Sequence, residues 1–427
     1  MREDLLHFIW KYKKVQLKGL HTTKGEAIVV ESVGTHNTNA GPDFFNAKLT
    51  IGSQLWAGNV ELHIKASDWY AHNHEVDENY NNVILHVVWE DDATIFRADN
   101  SEIPTLELKA FIAPTLLKAY QNLFDTRNKN FINCEKEIGG VDQFLFQNWL
   151  DRLFIERLEK KSAVVFNLLK ESKNDWEQVL FVMLMKNFGS IINGESFYAI
   201  AKSIDYKVFR KICNDPVKTE SLLLGAAGLL GDKDVLDVYY SRLNTEYTFL
   251  KRKFKVADET VVKAAFYRLR PTNFPTIRLS QIANLYGKHQ TLFAVLMRTT
   301  SLKEMYEVFN VAASAYWDDH YTFGKISRKS SKKITKSFVQ LIVINTILPL
   351  RFCYAKHLGK DENEIVLNII SSLQKEKNSI VTNFTKLTKS IHSAKESQAI
   401  LELYSNYCLK NKCLQCAVGS SLLSRNN

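Results

Sequence analysis

Proline and glycine are scarce in this chain, 7 and 17 among 427 residues, so neither a collagen-like repeat nor a low-complexity linker protein fits. Hydrophobic residues make up 45% and charged residues 24%, which excludes a disordered chain and predicts a packed core. Six cysteines are too few for a disulfide scaffold of this length. Met1–Trp10 lacks a basic-then-apolar leader, and the expected compartment is the reducing cytoplasm. No fixed-period repeat is present, against a solenoid, and no Gly-x-x-x-x-Gly-Lys-[Ser/Thr] string, against a nucleotide P-loop. The most apolar stretch, Phe338–Ala355, is interrupted by Gln340, Asn345, Thr346, Pro349 and Arg351, and reads as a buried helix with no membrane role.

What the chain has in abundance is unevenly placed. Residues 1–150 contain 14 Lys and Arg against 20 Asp and Glu; the remainder has 42 against 26, so the net charges are −6 and +16. Seven of the eleven histidines (His7, His21, His36, His63, His72, His74, His86) fall in the first 86 residues. Carboxylates with imidazoles hold cations, whereas a Lys/Arg excess neutralises phosphates, so a metal site joined to a polyanion-binding region is expected. The alternative reading of the basic excess is a solvated surface.

Short β-type runs at Ala27–Gly34, Phe44–Ile51, Gly58–Ala66, Asn82–Glu90, Ala93–Ala98 and Ile103–Lys109 follow a helix at Glu3–Lys14. A further short helix is expected within Ser67–Asn81, capped by Ser67. Beyond position 115 only four prolines remain and apolar spacing becomes helical. Helices are predicted at Gln143–Lys170, Asp175–Lys186, Thr219–Leu230, Lys233–Lys253, Ser331–Leu348, Glu362–Gln374 and Ser393–Leu409. The expected organisation is α+β: a β-rich domain over 1–127, a linker over 128–142, and an all-helical basic domain over 143–427 with a cysteine-containing end.

The string Asn39-Ala-Gly-Pro-Asp43-Phe44 opens one strand, and Gly58-Asn-Val-Glu61-Leu-His63-Ile-Lys65 forms the next. Alternate strand residues share a face, so Glu61, His63 and Lys65 form a polar row while Leu62, Ile64 and Ala66 enter the core. Asp43 and Glu61 on neighbouring strands can then face one cation. This layout over residues 1–110 resembles the PD-(D/E)xK restriction-endonuclease-like nucleases, and the resemblance implies a restriction-endonuclease-like α/β domain cutting phosphodiester bonds in DNA or RNA. It implies Asp43, Glu61 and the Leu62 carbonyl as ligands of Mg²⁺ or Mn²⁺, with a base two residues after the acid orienting water. That base is Lys in the family pattern and His63 here; imidazole lacks a permanent charge, and Lys65 is the substitute on the same face. A non-catalytic nucleic-acid-binding or scaffold protein on a degenerate nuclease fold is the alternative. The whole chain also resembles a bacterial family named domain of unknown function 2851, through Asn39–Phe44, Gly58–His63, Ser67-Asp-Trp69, His72-x-His74, Leu85–Val88, Arg270-Pro-Thr-Asn-Phe-Pro275 and the Cys-rich end.

A rival use of the same residues joins His72, His74 and His86 to His63 and Glu61 around a transition metal, since imidazole with carboxylate favours Zn, Mn or Fe over Mg²⁺. Further on, Arg268, Arg270 and Arg278 surround a Pro-punctuated loop with Tyr267 and Phe274, and Lys325, Arg328, Lys329, Lys332, Lys333 and Lys336 crowd into twelve residues. Both segments are candidates for nucleic-acid contact. At the end, Cys408-x4-Cys413-x2-Cys416 has the spacing of three ligands of a four-thiolate site for an Fe–S cluster or Zn, with Cys134 as the expected fourth. If these thiolates share a metal, Cys134 must come within about 4 Å of the other sulfurs; otherwise they are ordinary reduced thiols.

Overall fold

The computed structural model describes every residue except 1, 126, 128, 233, 257–262, 426 and 427. The start of the expected linker at Asn128 and of the predicted helix at Lys233 lie outside the described residues. Two compact units are present: Met1–Trp149 with Asn383–Lys389 and Leu403–Asn427, and Leu150–Thr382 with Ser390–Glu402. The chain end thus groups with the amino-terminal unit, an association between distant segments that a linear division at 142/143 misses.

In the first unit, α1 (Glu3–Lys11) buries Leu5, Leu6, Phe8, Ile9 and Trp10, as its 3.6-residue apolar spacing requires. The sheet comprises β1 (Ile28–Ser32), β2 (Thr35–His36), β3 (Phe44–Ile51), β4 (Gln54–Lys65), β5 (Val83–Glu90) and β6 (Thr105–Glu107). Its order is β1-β3-β4-β5-β6, with β2 paired to β3. The β1, β3 and β4 pairings are antiparallel; β4–β5 and β5–β6 are parallel, the β4–β5 crossover running through α2 (Asp68–Ala71). Val60–His63 of β4 is buried throughout, because α1 and the crossover cover the sheet. Gly58 is required beside β5: a Cβ there would lie 2.6 Å from the Asn82 carbonyl oxygen and 2.4 Å from Ile84 Cγ2. The expected strand at Ala93–Ala98 makes only the isolated bridge Phe96 to Glu102. Ser67 does not cap α2 through its side chain; its N–H and Oγ both donate to Asp92 at 2.8 Å. The expected linker is packed, with Ile132 and Ile138 buried.

The second unit is mostly helical and is entered within the long helix Gln143–Glu171. It is not all-helical: His320–Thr322 and Lys325–Ile326 form a two-stranded ribbon, turned by Gly324 at φ +69°. Lys336–His357 is long and apolar enough to cross a membrane by length and composition, and 72% of its apolar window is buried in the protein. Pro349 has no N–H to give the Asn345 carbonyl, and the helix widens over Val343–Ile347 ahead of it. Asn187 Nδ2 donates instead to the Asn345 oxygen at 3.5 Å and to Thr346 Oγ1 at 2.9 Å. The core also encloses Glu220, whose carboxylate accepts from Ser280 Oγ at 2.7 Å, Trp317 Nε1 at 2.7 Å, Ser314 Oγ at 2.9 Å and Tyr239 Oη at 3.2 Å.

Candidate metal centre

Asp43 is delivered by a loop held from inside. Gly41 takes φ +99°, which a side chain resists, and Asn37 Nδ2 points at the carbonyls of Asn39, Ala40, Gly41 and Pro42 at 3.0 to 3.4 Å. Two reciprocal bonds then lock β3 to β4. The Asp43 N–H donates to Glu61 Oε2 at 2.9 Å, and the Leu62 N–H donates to Asp43 Oδ2 at 3.0 Å. From α1, His7 Nε2 approaches Asp43 Oδ2 at 3.1 Å, and Glu3, one helical turn earlier, completes a group whose ligand atoms lie within 4.8 Å of one another.

The other oxygen of Glu61 faces imidazoles. Oε1 is 3.6 Å from His63 Nε2 and 3.5 Å from His74 Nε2, and His63 Nε2 is 3.1 Å from His72 Nδ1. The ligand atoms of His63, His72 and His74 all lie within 4.8 Å of one another. Asn73 between the last two adopts the left-handed conformation at φ +59°, which an Asn tolerates and which brings both neighbouring rings to the same side. His74 stacks between His63 (5.3 Å, 16°) and Tyr80 (3.8 Å, 19°), above an apolar floor that includes Trp69 and Val88. Behind His63, the paired residue of Glu61 on β5 is His86, whose Nε2 is 2.8 Å from His63 Nδ1. His86 Nδ1 is buried with no hydrogen-bond partner among the described residues.

Burial raises the Glu61 carboxyl to about 7, with the Asp43 charge adding to the rise against the opposing hydrogen bond from His74. Burial, then His74 and His72, lowers the His63 imidazole to about 3; burial takes His86 well below its ordinary range. Both rings are therefore neutral lone-pair donors. At His7 burial works downward, but the hydrogen bond and charge of Asp43 outweigh it and hold the imidazole above its usual value. Ligands arranged tetrahedrally at the Zn–N and Zn–O length of about 2.0–2.1 Å lie roughly 3.3 Å apart. The 3.1 to 3.6 Å contacts around Glu61, His63, His72 and His74 have that scale.

Of the expected site residues, Asp43, Glu61 and His63 converge. Lys65 does not: its side chain is half exposed and reaches Asp92 at 4.0 Å. Glu3 and His7 join the site although only their i,i+4 spacing on a predicted helix signals it in the sequence. In the helical unit Arg268, Arg270, Lys325, Arg328, Lys329 and Lys333 are exposed. Arg278 and Lys332 are buried and corrected to structural roles. Arg278 donates to Gln281 at 2.9 Å and Asn273 at 2.6 Å and lies 3.6 Å over the Phe338 ring. Lys332 Nζ donates to the Asp318 and Ser330 carbonyls at 3.0 and 2.9 Å. Local sequence cannot distinguish such cations from exposed ones, because their acceptors arrive with the fold. Cys134, Cys408, Cys413 and Cys416 line a single cavity in the first unit.

A family model described as "Protein of unknown function (DUF2851)" matches residues 3–379. No curated protein and no solved structure matches the chain.

Proposed function

Because the chain belongs to the DUF2851 family, whose description assigns no activity, its function is read from the site itself, and we propose a metal-dependent hydrolase that cleaves phosphodiester bonds in DNA or RNA. The observation that carries this reading is the convergence of Glu61, His63, His72 and His74 beside the Asp43–His7 pair. Mg²⁺ prefers an all-oxygen shell, whereas this mixed set suits Mn²⁺ or Zn²⁺. Bound there, such an ion would polarise the scissile phosphate and make water nucleophilic near neutral pH. The residues supply the rest. Asp43 fixes the position of β3 against β4 and, through Oδ2, anchors His7. His7, with its elevated proton affinity, is the group assigned to protonate the leaving oxygen in this reading. His86 orients the His63 ring through Nδ1, leaving Nε2 toward Glu61 and His72. Glu61 and His63 thus would hold the ion, His7 would serve the leaving group and Asp43 positions them; Lys65 is left to Asp92.

The substrate class follows from the +16 charge of residues 151–427 and the exposed Arg268, Arg270, Lys325, Arg328, Lys329 and Lys333, which suit a phosphate backbone. The test is cleavage of single- and double-stranded DNA and RNA by purified protein with Mn²⁺, Zn²⁺ or Mg²⁺, with Asp43→Ala as control. Cleavage that requires metal and is lost in the variant is the expected result. Salt-sensitive binding without cleavage under any metal would replace it with the scaffold reading, which the half-exposed, site-remote Lys65 favours.

A further inference from the structure

The cysteines constitute a second centre, chemically separate from the histidine site. Cys134 lies just after the sheet, in a turn in which its carbonyl accepts from Ile138 N–H at 2.9 Å. Cys408, Cys413 and Cys416 come from the chain end, around a short 3₁₀ turn at Cys413–Gln415 that precedes the helix Ala417–Ser424. Asn133 ties the two segments together, its Nδ2 donating to Asn411 Oδ1 at 3.3 Å and to Cys413 Sγ at 3.3 Å. Gly419 makes the turn possible, because a Cβ there would lie 2.1 Å from the Cys413 carbonyl oxygen. The result is a cavity walled by the four cysteines and by apolar side chains such as Leu123, Ile132, Ile138 and Leu403.

Six cysteines are present, none in a disulfide, and the two that do not line this cavity, Cys213 and Cys353, are buried singly elsewhere. Four thiols around one apolar void is not a packing solution; small hydrophobes fill such a space better than sulfurs held at its rim. The spacing narrows the occupant. A tetrahedral Zn–S site holds its sulfurs roughly 3.8 Å apart, from a metal–sulfur bond of about 2.3 Å. Among the described residues, which include all four cysteines, no three of these sulfurs lie within 4.8 Å of one another, whereas the ligand atoms of His63, His72 and His74 do. A cubane cluster binds each thiolate to a different iron and needs the wider arrangement. N–H donors aimed at sulfur, from Asn133 to Cys413 and from the backbone of Val418 and Gly419 to Cys416, are the groups that stabilise cluster ligands.

We propose that Cys134, Cys408, Cys413 and Cys416 bind a [4Fe–4S] cluster that fastens the chain end onto the sheet-bearing unit. The ligands span 134 to 416, so the cluster closes a loop of about two thirds of the chain and stabilises the folded state by restricting the unfolded one. The test uses the full chain purified anaerobically, with iron, acid-labile sulfide and zinc measured beside the visible spectrum. About four irons and four sulfides per chain and a broad visible absorption are expected. Cys408→Ser and Cys413→Ser should lose iron and colour together, while Cys213→Ser and Cys353→Ser retain both. One zinc per chain without sulfide, or a colourless metal-free protein after anaerobic reconstitution with iron and sulfide, overturns the proposal. The wild-type stoichiometry decides the matter even where a serine variant fails to fold, and none of these readouts depends on nuclease activity.

Discussion

Glu61 and Glu220 are both almost fully buried carboxylates, one in each unit, and they are completed in opposite ways. Glu220 accepts from two serines, a tyrosine and a tryptophan, so its lone pairs are satisfied by the protein itself. Glu61 accepts one backbone N–H through Oε2 and turns Oε1 to two imidazoles, one of them held neutral by burial. A buried acid saturated by fixed donors is a structural bolt; one with an oxygen turned to the lone-pair-bearing ring of His63 has capacity left for a cation. Burial alone does not separate structure from function, and the identity of the neighbours does.

That contrast is tested most strongly at Glu220. Glu220→Ala orphans several buried donors and should destabilise the protein by about 3 kcal/mol, read from denaturant unfolding, because each unmet buried group costs about 1–3 kcal/mol. Equal stability of this variant and the wild type would remove the structural reading. Asp43→Ala, which leaves the Leu62 N–H without its acceptor, should cost about 1–2 kcal/mol of stability while lowering metal-dependent cleavage by about 100-fold or more. A large stability loss with unchanged cleavage would invert the comparison. The basic residues divide similarly. Arg268→Gln combined with Arg270→Gln should leave unfolding unchanged and lower the salt dependence of DNA binding by about one unit of slope per lost phosphate contact. Lys65→Ala should have the smallest effect, within about 0.5 kcal/mol in stability and without loss of cleavage, since its 4.0 Å contact with Asp92 is a solvated ion pair. A strong loss of cleavage there would return Lys65 to the site.

Legibility followed how local the signal is. β3 occupies Phe44–Ile51, the limits its alternation predicts, and the helix beginning at Gln143 ends within a residue of expectation. Inside that helix apolar identity does not decide burial: Phe144, Ile155 and Val164 are exposed, while Leu150, Phe154 and Val165 are buried. Pro275–Lys288 escaped sequence reading because it is buried nearly all round, including Arg278, Ser280 and Gln281, and so carries no amphipathic stripe. At the candidate site Asp43, Glu61, His63, His72, His74 and His86 were legible from residue type and strand spacing. Glu3 and His7 were not, since their role depends on how α1 crosses the sheet.

The amino-acid sequence by itself determined the β-rich start, the helical remainder, the clustering of imidazole and carboxylate before residue 90, and the inventory of thiols near the end. Only the tertiary structure decided which donors meet. It aimed Lys65 at Asp92, buried Arg278 and Lys332 under side-chain and backbone acceptors, and brought Cys134 to Cys408, Cys413 and Cys416 across more than 270 positions. The physical reason is range: period and propensity are set by neighbours a few residues away, whereas a binding site is a set of distances between segments that only the packing of the core brings into register.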